Sequence, residues 1–196
     1  MSRPVNANVS VRYQAGCNSG KQFTVRYTNQ TTVTPGSFLQ AGDSGSLMVT
    51  NDANHQPVGL LYAGSSSVAI ANPIQDVVRA FEPACGGPGS FTFVGTTCSA
   101  PTALAGSFTT TSGPAPARVD VATQVKGRHV GALMSHSAVL GVGVGAADDD
   151  PSEAVLVLYV EQGRPHPPLP EALDGVRVKL VYTDRIVAMV GGPCRE

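Results

Sequence analysis

Alternation of apolar and polar residues with a period of two limits what this chain can fold into more than any other feature. Residues 8–13, NVSVRY, and 22–27, QFTVRY, carry an apolar or aromatic side chain at every second position. Between them lies Ala15-Gly16-Cys17-Asn18-Ser19-Gly20, a run dominated by turn formers. Successive side chains of a strand point to opposite faces, so such runs bury one face cleanly only as strands, and the pair predicts an antiparallel hairpin. The same reading predicts a hairpin of 46–50 and 57–64 about the polar turn Asn51-Asp52-Ala53-Asn54, and strands at 154–160, 176–182 and 185–190.

Helical spacing is confined to two places. Ile74, Val77, Val78 and Phe81 fall on one face of a helix, with Pro73 at its start. A second, short helix is expected over 125–140, where His129 and His136 are suited to surface or helix-end roles. Between these helices the composition shifts to Gly, Ser, Thr, Pro and Ala, which predicts an extended linker over 85–124 with at most one short strand at 90–94. The expected organisation is a β-rich unit at 1–84, the linker, and a small α+β module at 125–196. In that module Gly141 to Gly145 lacks the spacing of a dinucleotide loop and the lysine of a P-loop, and reads as packing at a strand edge. Asp148 to Asp150 reads as a solvated turn rather than a cation site.

Composition sets the outer bounds. With 196 residues, a formal net charge of −1, 42% hydrophobic residues and no Trp, the chain is mainly β with α+β character and has no basic surface suited to nucleic acid. No apolar run approaches the roughly 18 residues of a membrane span. The first residues, Met-Ser-Arg-Pro, do not resemble a secretory signal, which favours the cytoplasm as written, although low lysine and abundant Thr, Ser and Gly suit an exported bacterial protein. Cys17, Cys85, Cys98 and Cys194 have no zinc-like spacing; Cys85 and Cys98 would close a short loop if oxidised. Neither a metal nor a cofactor is expected.

The chemistry concentrates in residues 40–50, QAGDSGSLMVT. A serine hydroxyl attacks an acyl carbon when it is held out on a tight exposed loop, and glycines on either side let the backbone turn and approach a substrate. Gly42 and Gly45 would do this for Ser44, with the Gly42 and Ser44 amides converging on an oxyanion and Asp43 bracing the loop. The same five residues, GDSGS, are also ordinary turn formers.

The flanks carry a resemblance. Gly42-Asp43-Ser44-Gly45-Ser46, then Val58-Gly59-Leu60-Leu61-Tyr62-Ala63-Gly64, then the 72–81 helix follow the order found in trypsin-like serine peptidases, over residues 6–82 and most closely in their bacterial and plant branch. The resemblance implies the second six-stranded barrel of that fold, Ser44 as nucleophile, Gly42 in the oxyanion hole, and Leu61, Tyr62, Ala63 and Gly64 along the substrate cleft. Phe38, six residues before the serine, takes the place of the pocket floor, which implies a small or apolar residue before the scissile bond; packing inside the barrel is the other reading of Phe38. The series GVGVG, VLVLYVE and LPEALDGVRV resembles a module that stands before the peptidase barrels in related bacterial proteins, whereas here it follows the serine.

The resemblance also shows what is missing. The family carries its histidine base and aspartate on a first barrel ahead of the serine, and residues 1–43 contain no histidine. His55 reads as a turn residue, His166 lies in an extended Pro-rich loop, and His136 is the least unsuitable base of a permuted site. Two expectations result. Either a partner chain bearing the histidine and aspartate, or a second copy, completes a site for a peptide or protein substrate, or the barrel is an inactive binding or structural module. A half-fold of this kind exposes an apolar face, so association is expected.

Overall fold

The alternating runs pair into one continuous sheet. A computed structural model describes residues 5–15, 20–81 and 113–188. Within them lie ten strands and two α-helices. β1 (Val5–Gln14) and β2 (Gln22–Val33) pair antiparallel, from Tyr13 opposite Phe23 to Ala7 opposite Gln30. On β1 every second residue faces inward, and Ala7, Val9 and Val11 expose no surface. A 3-10 turn at Gly36–Phe38 leads to the second hairpin, β3 (Leu47–Val49) and β4 (Pro57–Gly64). β5 (Ala69–Pro73) runs back along β4 and pairs on its other edge with β2, and α1 (Ile74–Phe81) follows directly.

β10 (Val187–Ala188) turns this set into a barrel. It pairs antiparallel with Gly64 and Ala63 of β4 and parallel with β1 at Arg12, so β1, β2, β5, β4 and β10 form a closed ring of five strands. Side chains hold the approach to β10 in place. The Ser65 and Thr183 hydroxyls are 2.6 Å apart and buried, Ser66 donates to Asp184, and the Arg12 N–H donates to Ile186 O at 2.9 Å.

The edge of β1 that meets β10 at Arg12 meets β6 (Val139–Ala146) at Val5, Asn8 and Val9. The sheet therefore runs on from the barrel through β6, β7 (Ala154–Glu161) and β9 (Val176–Thr183), with β8 (Ala172–Leu173) as a short hairpin partner of β9. Asp174 and Gly175 join β8 to β9 with φ of 47° and 80°, the left-handed pair that a two-residue hairpin turn requires. Strands from 1–84 and from 125–196 thus share one sheet.

Helix α2 (Pro116–Leu133) starts nine residues earlier than the sequence predicts and ends seven earlier. Its start lies inside the stretch read as linker, because Pro, Ala and Gly dominate the composition there. Yet Val119, Ala122, Val125 and Val130 keep a helical spacing from the first turn, and Pro116 suits a first helical position, where no N–H is needed. Residues 139–140 leave the expected helix to open β6, whose Val139 pairs with Val160. The glycine run 141–145 is a strand as expected, but it is an interior strand between β1 and β7 rather than an edge. A Cβ on Gly141 would lie 3.0 Å from both Asn8 O and Val9 Cγ1 and 3.2 Å from Tyr159 Cδ2, so glycine lets three strands approach closely. The expected strand at 90–94 and all four cysteines lie outside the described residues.

β7 separates two cores. Val155, Val157 and Tyr159 pack with Val9, Val11, Ile70 and Ile186, whereas Leu156, Leu158 and Val160 pack against α2 and β6. The strand is buried on both faces, as its nearly unbroken apolar run requires.

Lys126 is the charged residue of α2 that packs inward, 4% exposed. Its ammonium donates to Asn6 O, to Asn6 Oδ1 at 2.8 Å and to Asn8 Oδ1 at 3.2 Å, tying the helix to an irregular stretch of β1 where Asn6 has a φ of 59°. Burial pulls this ammonium down to about 8 from 10.5. Between those values the unfolded chain holds a proton that the folded chain has released, so folding stability rises with pH across that window. Urea unfolding should show the free energy climbing from pH 8 towards 10 by at most about 1.4 kcal/mol per pH unit. Lys126→Met should flatten the profile. A wild-type profile that is already flat would contradict the release of this proton.

Candidate functional site

The serine loop is built by backbone bonds to one carboxylate and one strand. The Gln40 N–H donates to Asp43 Oδ2 at 2.7 Å, the Asp43 N–H to Gln40 O at 3.1 Å, and the Ser46 N–H to Asp43 O at 2.9 Å, so Asp43 braces the turn with both its side chain and its backbone. Gly42 and Gly45 have φ of 104° and 91°, and a Cβ on either would meet nothing within 4 Å. Conformation, not space, demands glycine at both positions. The loop is clasped to the middle of β4, where the Gly45 N–H donates to Leu61 O at 2.8 Å and the Leu61 N–H to Ser46 O at 3.0 Å.

Ser44 is left exposed at the tip, with its hydroxyl donating to Tyr62 O at 3.3 Å. A hydroxyl that donates to a carbonyl keeps its proton, whereas nucleophilic attack needs a base to receive it. Of the residues expected along a cleft, Leu61 and Tyr62 adjoin the loop through these bonds, and Ala63 and Gly64 follow on the same strand. Phe38 ends the 3-10 turn and is 40% exposed, so it does not fill the barrel interior.

The β4 edge opposite β5 is shared by three partners in succession. β3 pairs with residues 57–60, the serine loop clasps Leu61, and β10 pairs with Ala63 and Gly64. The chain's own Val187 and Ala188 therefore lie along Ala63 and Gly64, two of the residues expected along a cleft from the family resemblance. Sequence reasoning found a strand here but not its position, since nothing local to two residues tells which edge they will join.

The four histidines are placed in other settings. His129 Nε2 lies 2.9 Å from Asp174 Oδ2, which also accepts from Arg128, and these two partners hold the Asp174 carboxyl below the usual carboxylate range. His166 Nδ1 is 2.8 Å from Pro167 O, and its ring centroid is 6.2 Å from that of Tyr182. His55 is exposed in the turn after β3, at a φ of 45°, with its N–H donating to Asp52 Oδ1 at 3.1 Å. His136 lines a cavity beside the end of α2. The acidic turn is likewise engaged, with Asp149 paired to Arg177 and Asp148 to Lys179, both on β9. Among the described residues no group of three or more His, Cys, Asp or Glu is placed to hold a metal ion.

Tyr62 also anchors an aromatic row. Its ring centroid lies 5.2 Å from that of Tyr27, and the Tyr27 hydroxyl bonds to that of Tyr13 at 2.8 Å. Burial pushes the Tyr62 hydroxyl upward, so it stays protonated. Comparison with protein-family models, with curated proteins and with solved structures finds no match for this chain.

Proposed function

We propose that this chain carries the nucleophile and oxyanion half of a serine-peptidase-type acyl-transfer site, with the base supplied from outside the chain. The observation that carries the reading is the serine loop itself: two glycines at positive φ hold Ser44 exposed, and two backbone bonds fix the loop to β4 at Leu61. In the reaction, Ser44 Oγ forms a bond to the acyl carbon while its proton passes to the external base. The bond to the leaving amine then breaks and the amine takes up that proton; water then repeats the sequence to release the acid. The exposure of Phe38, Leu47 and Val49 around the loop and on β3 supports a partner that covers this side.

The second reading, a barrel that binds or builds without catalysis, is favoured by a different observation. β10 occupies the β4 edge that an extended peptide would use, and the Ser44 hydroxyl is turned to Tyr62 O. Chemical rescue separates the two. The purified chain is treated with a fluorophosphonate, with and without added imidazole as a free base, and read by intact mass against Ser44→Ala. Imidazole-dependent labelling that vanishes in Ser44→Ala is the expected result. A folded protein that takes no label even in imidazole would sink the nucleophile and leave the loop as a turn.

A further inference from the structure

A cavity of about 520 Å³ lies where the barrel, the end of α2 and the segments flanking β9 meet, and its wall holds four of the chain's arginines. Arg12 comes from β1, Arg26 from β2, Arg164 from the turn after β7, and Arg185 from the approach to β10. Glu161 is the carboxylate that faces them. Four guanidiniums against one carboxylate leave a formal excess of three positive charges in a chain whose net charge is −1. The concentration is therefore local and not a reflection of overall charge.

The internal bonds do not use up these donors. Glu161 accepts from Arg164 at 2.9 Å and from Arg185, so both its oxygens are engaged. Arg26 gives one bond, to Met134 O at 3.0 Å. The Arg12 guanidinium has no hydrogen-bond or ion-pair partner among the described residues, and His136 in the same wall has no side-chain partner either. Each guanidinium carries five N–H donors and no acceptor, so the wall offers donors far in excess of the oxygens that meet them. Like charges gathered on four separate elements repel one another, and a ligand rich in acceptors and negative charge would relieve what repulsion Glu161 leaves.

We propose that this cavity is a binding site for a small polyanion, with at least two phosphate- or carboxylate-like groups bridged between Arg12 and Arg26 on the barrel side and Arg164 and Arg185 on the other. Its volume falls within the range of small-ligand sites. Because the ligand would span β1, β2 and the approach to β10, it would stabilise the folded chain as it binds. The site is independent of Ser44.

Inorganic pyrophosphate is the probe, followed by isothermal titration and thermal unfolding of the intact chain at constant ionic strength, with sodium chloride and monophosphate as controls. Saturable binding of pyrophosphate, tighter than that of monophosphate and accompanied by a raised unfolding temperature, is expected. Arg12→Gln, which breaks no bond among the described residues, should weaken pyrophosphate by about tenfold with an unchanged urea midpoint. Ser44→Ala should bind as the wild type does. No saturable binding, or the same affinity in Arg12→Gln and in a folded Arg12→Gln/Arg26→Gln double variant, would overturn the site.

Discussion

Replacing Tyr159 by alanine is expected to lower the unfolding free energy by about 4 kcal/mol, the largest single loss this fold offers. Tyr159 is the largest of the side chains with no exposed surface, and it lies at the centre of the core shared by the barrel and the extended sheet. Its hydroxyl reaches across to β2 and bonds to Thr32 Oγ1 at 2.7 Å, both groups buried. Burial pushes this hydroxyl up to about 12, so the bond is intact throughout the neutral range. Truncation removes the ring and leaves a cavity in the core cluster that Tyr159 shares with Val9, Val157 and Ile186. Tyr159→Phe keeps the packing but removes the buried bond to Thr32, a loss of about 1 kcal/mol. Urea unfolding of the two variants separates packing from the hydrogen bond, and equal losses would mean that the ring contributes nothing beyond its hydroxyl.

Gly36→Ala should cost about 3 kcal/mol or more, through a collision rather than a cavity. A Cβ at Gly36 would stand 2.2 Å from Ser65 O, 2.6 Å from the Ser66 carbonyl carbon and 2.6 Å from Val68 N, all backbone atoms that cannot rotate away. The turn it strikes is held by the Ser65 N–H to Val68 O bond at 2.8 Å, and the Ser65 hydroxyl bonds Thr183 on the way to β10. Displacing that turn therefore loosens the closing strand as well. Gly127→Ala is the matched control, because Gly127 is exposed on α2 with nothing within 4 Å, and alanine there should stabilise by about 0.8 kcal/mol. If both substitutions were neutral in urea unfolding, the packing of the 3-10 turn against β4–β5 would have to be redrawn.

How much of this was legible in the sequence depended on the range of the signal. Both hairpins and α1 rest on neighbours within a few residues, and the alternation at Val9, Val11, Tyr13 and at Phe23, Val25, Tyr27 specified them. The start of α2 was hidden because Pro114, Ala115 and Pro116 give it a linker's composition, although the spacing of Val119, Ala122 and Val125 already followed the helix. At the serine loop the tight turn was readable, since glycines flanking a serine are a local device and Gly42 and Gly45 both adopt positive φ. The occupant of the β4 edge was not, because Val187 meets Gly64 only through the tertiary fold. The arginine cavity was equally opaque: it gathers side chains from four separated segments, and no spacing along the chain announces it.

The barrel's last stave is a strand of two residues that lies, in sequence, beyond every other described strand. A ring closed in this way is a late event, because the loop that must be pinned before Val187 finds Gly64 spans most of the chain, and contacts of such separation form slowly. Until then β4 and β1 present open backbone edges beside the core, the kind of edge that recruits strands from other molecules. Before that closure the first four staves stand without the fifth, the form most exposed to mispairing, so a strand of only two residues ends that exposure.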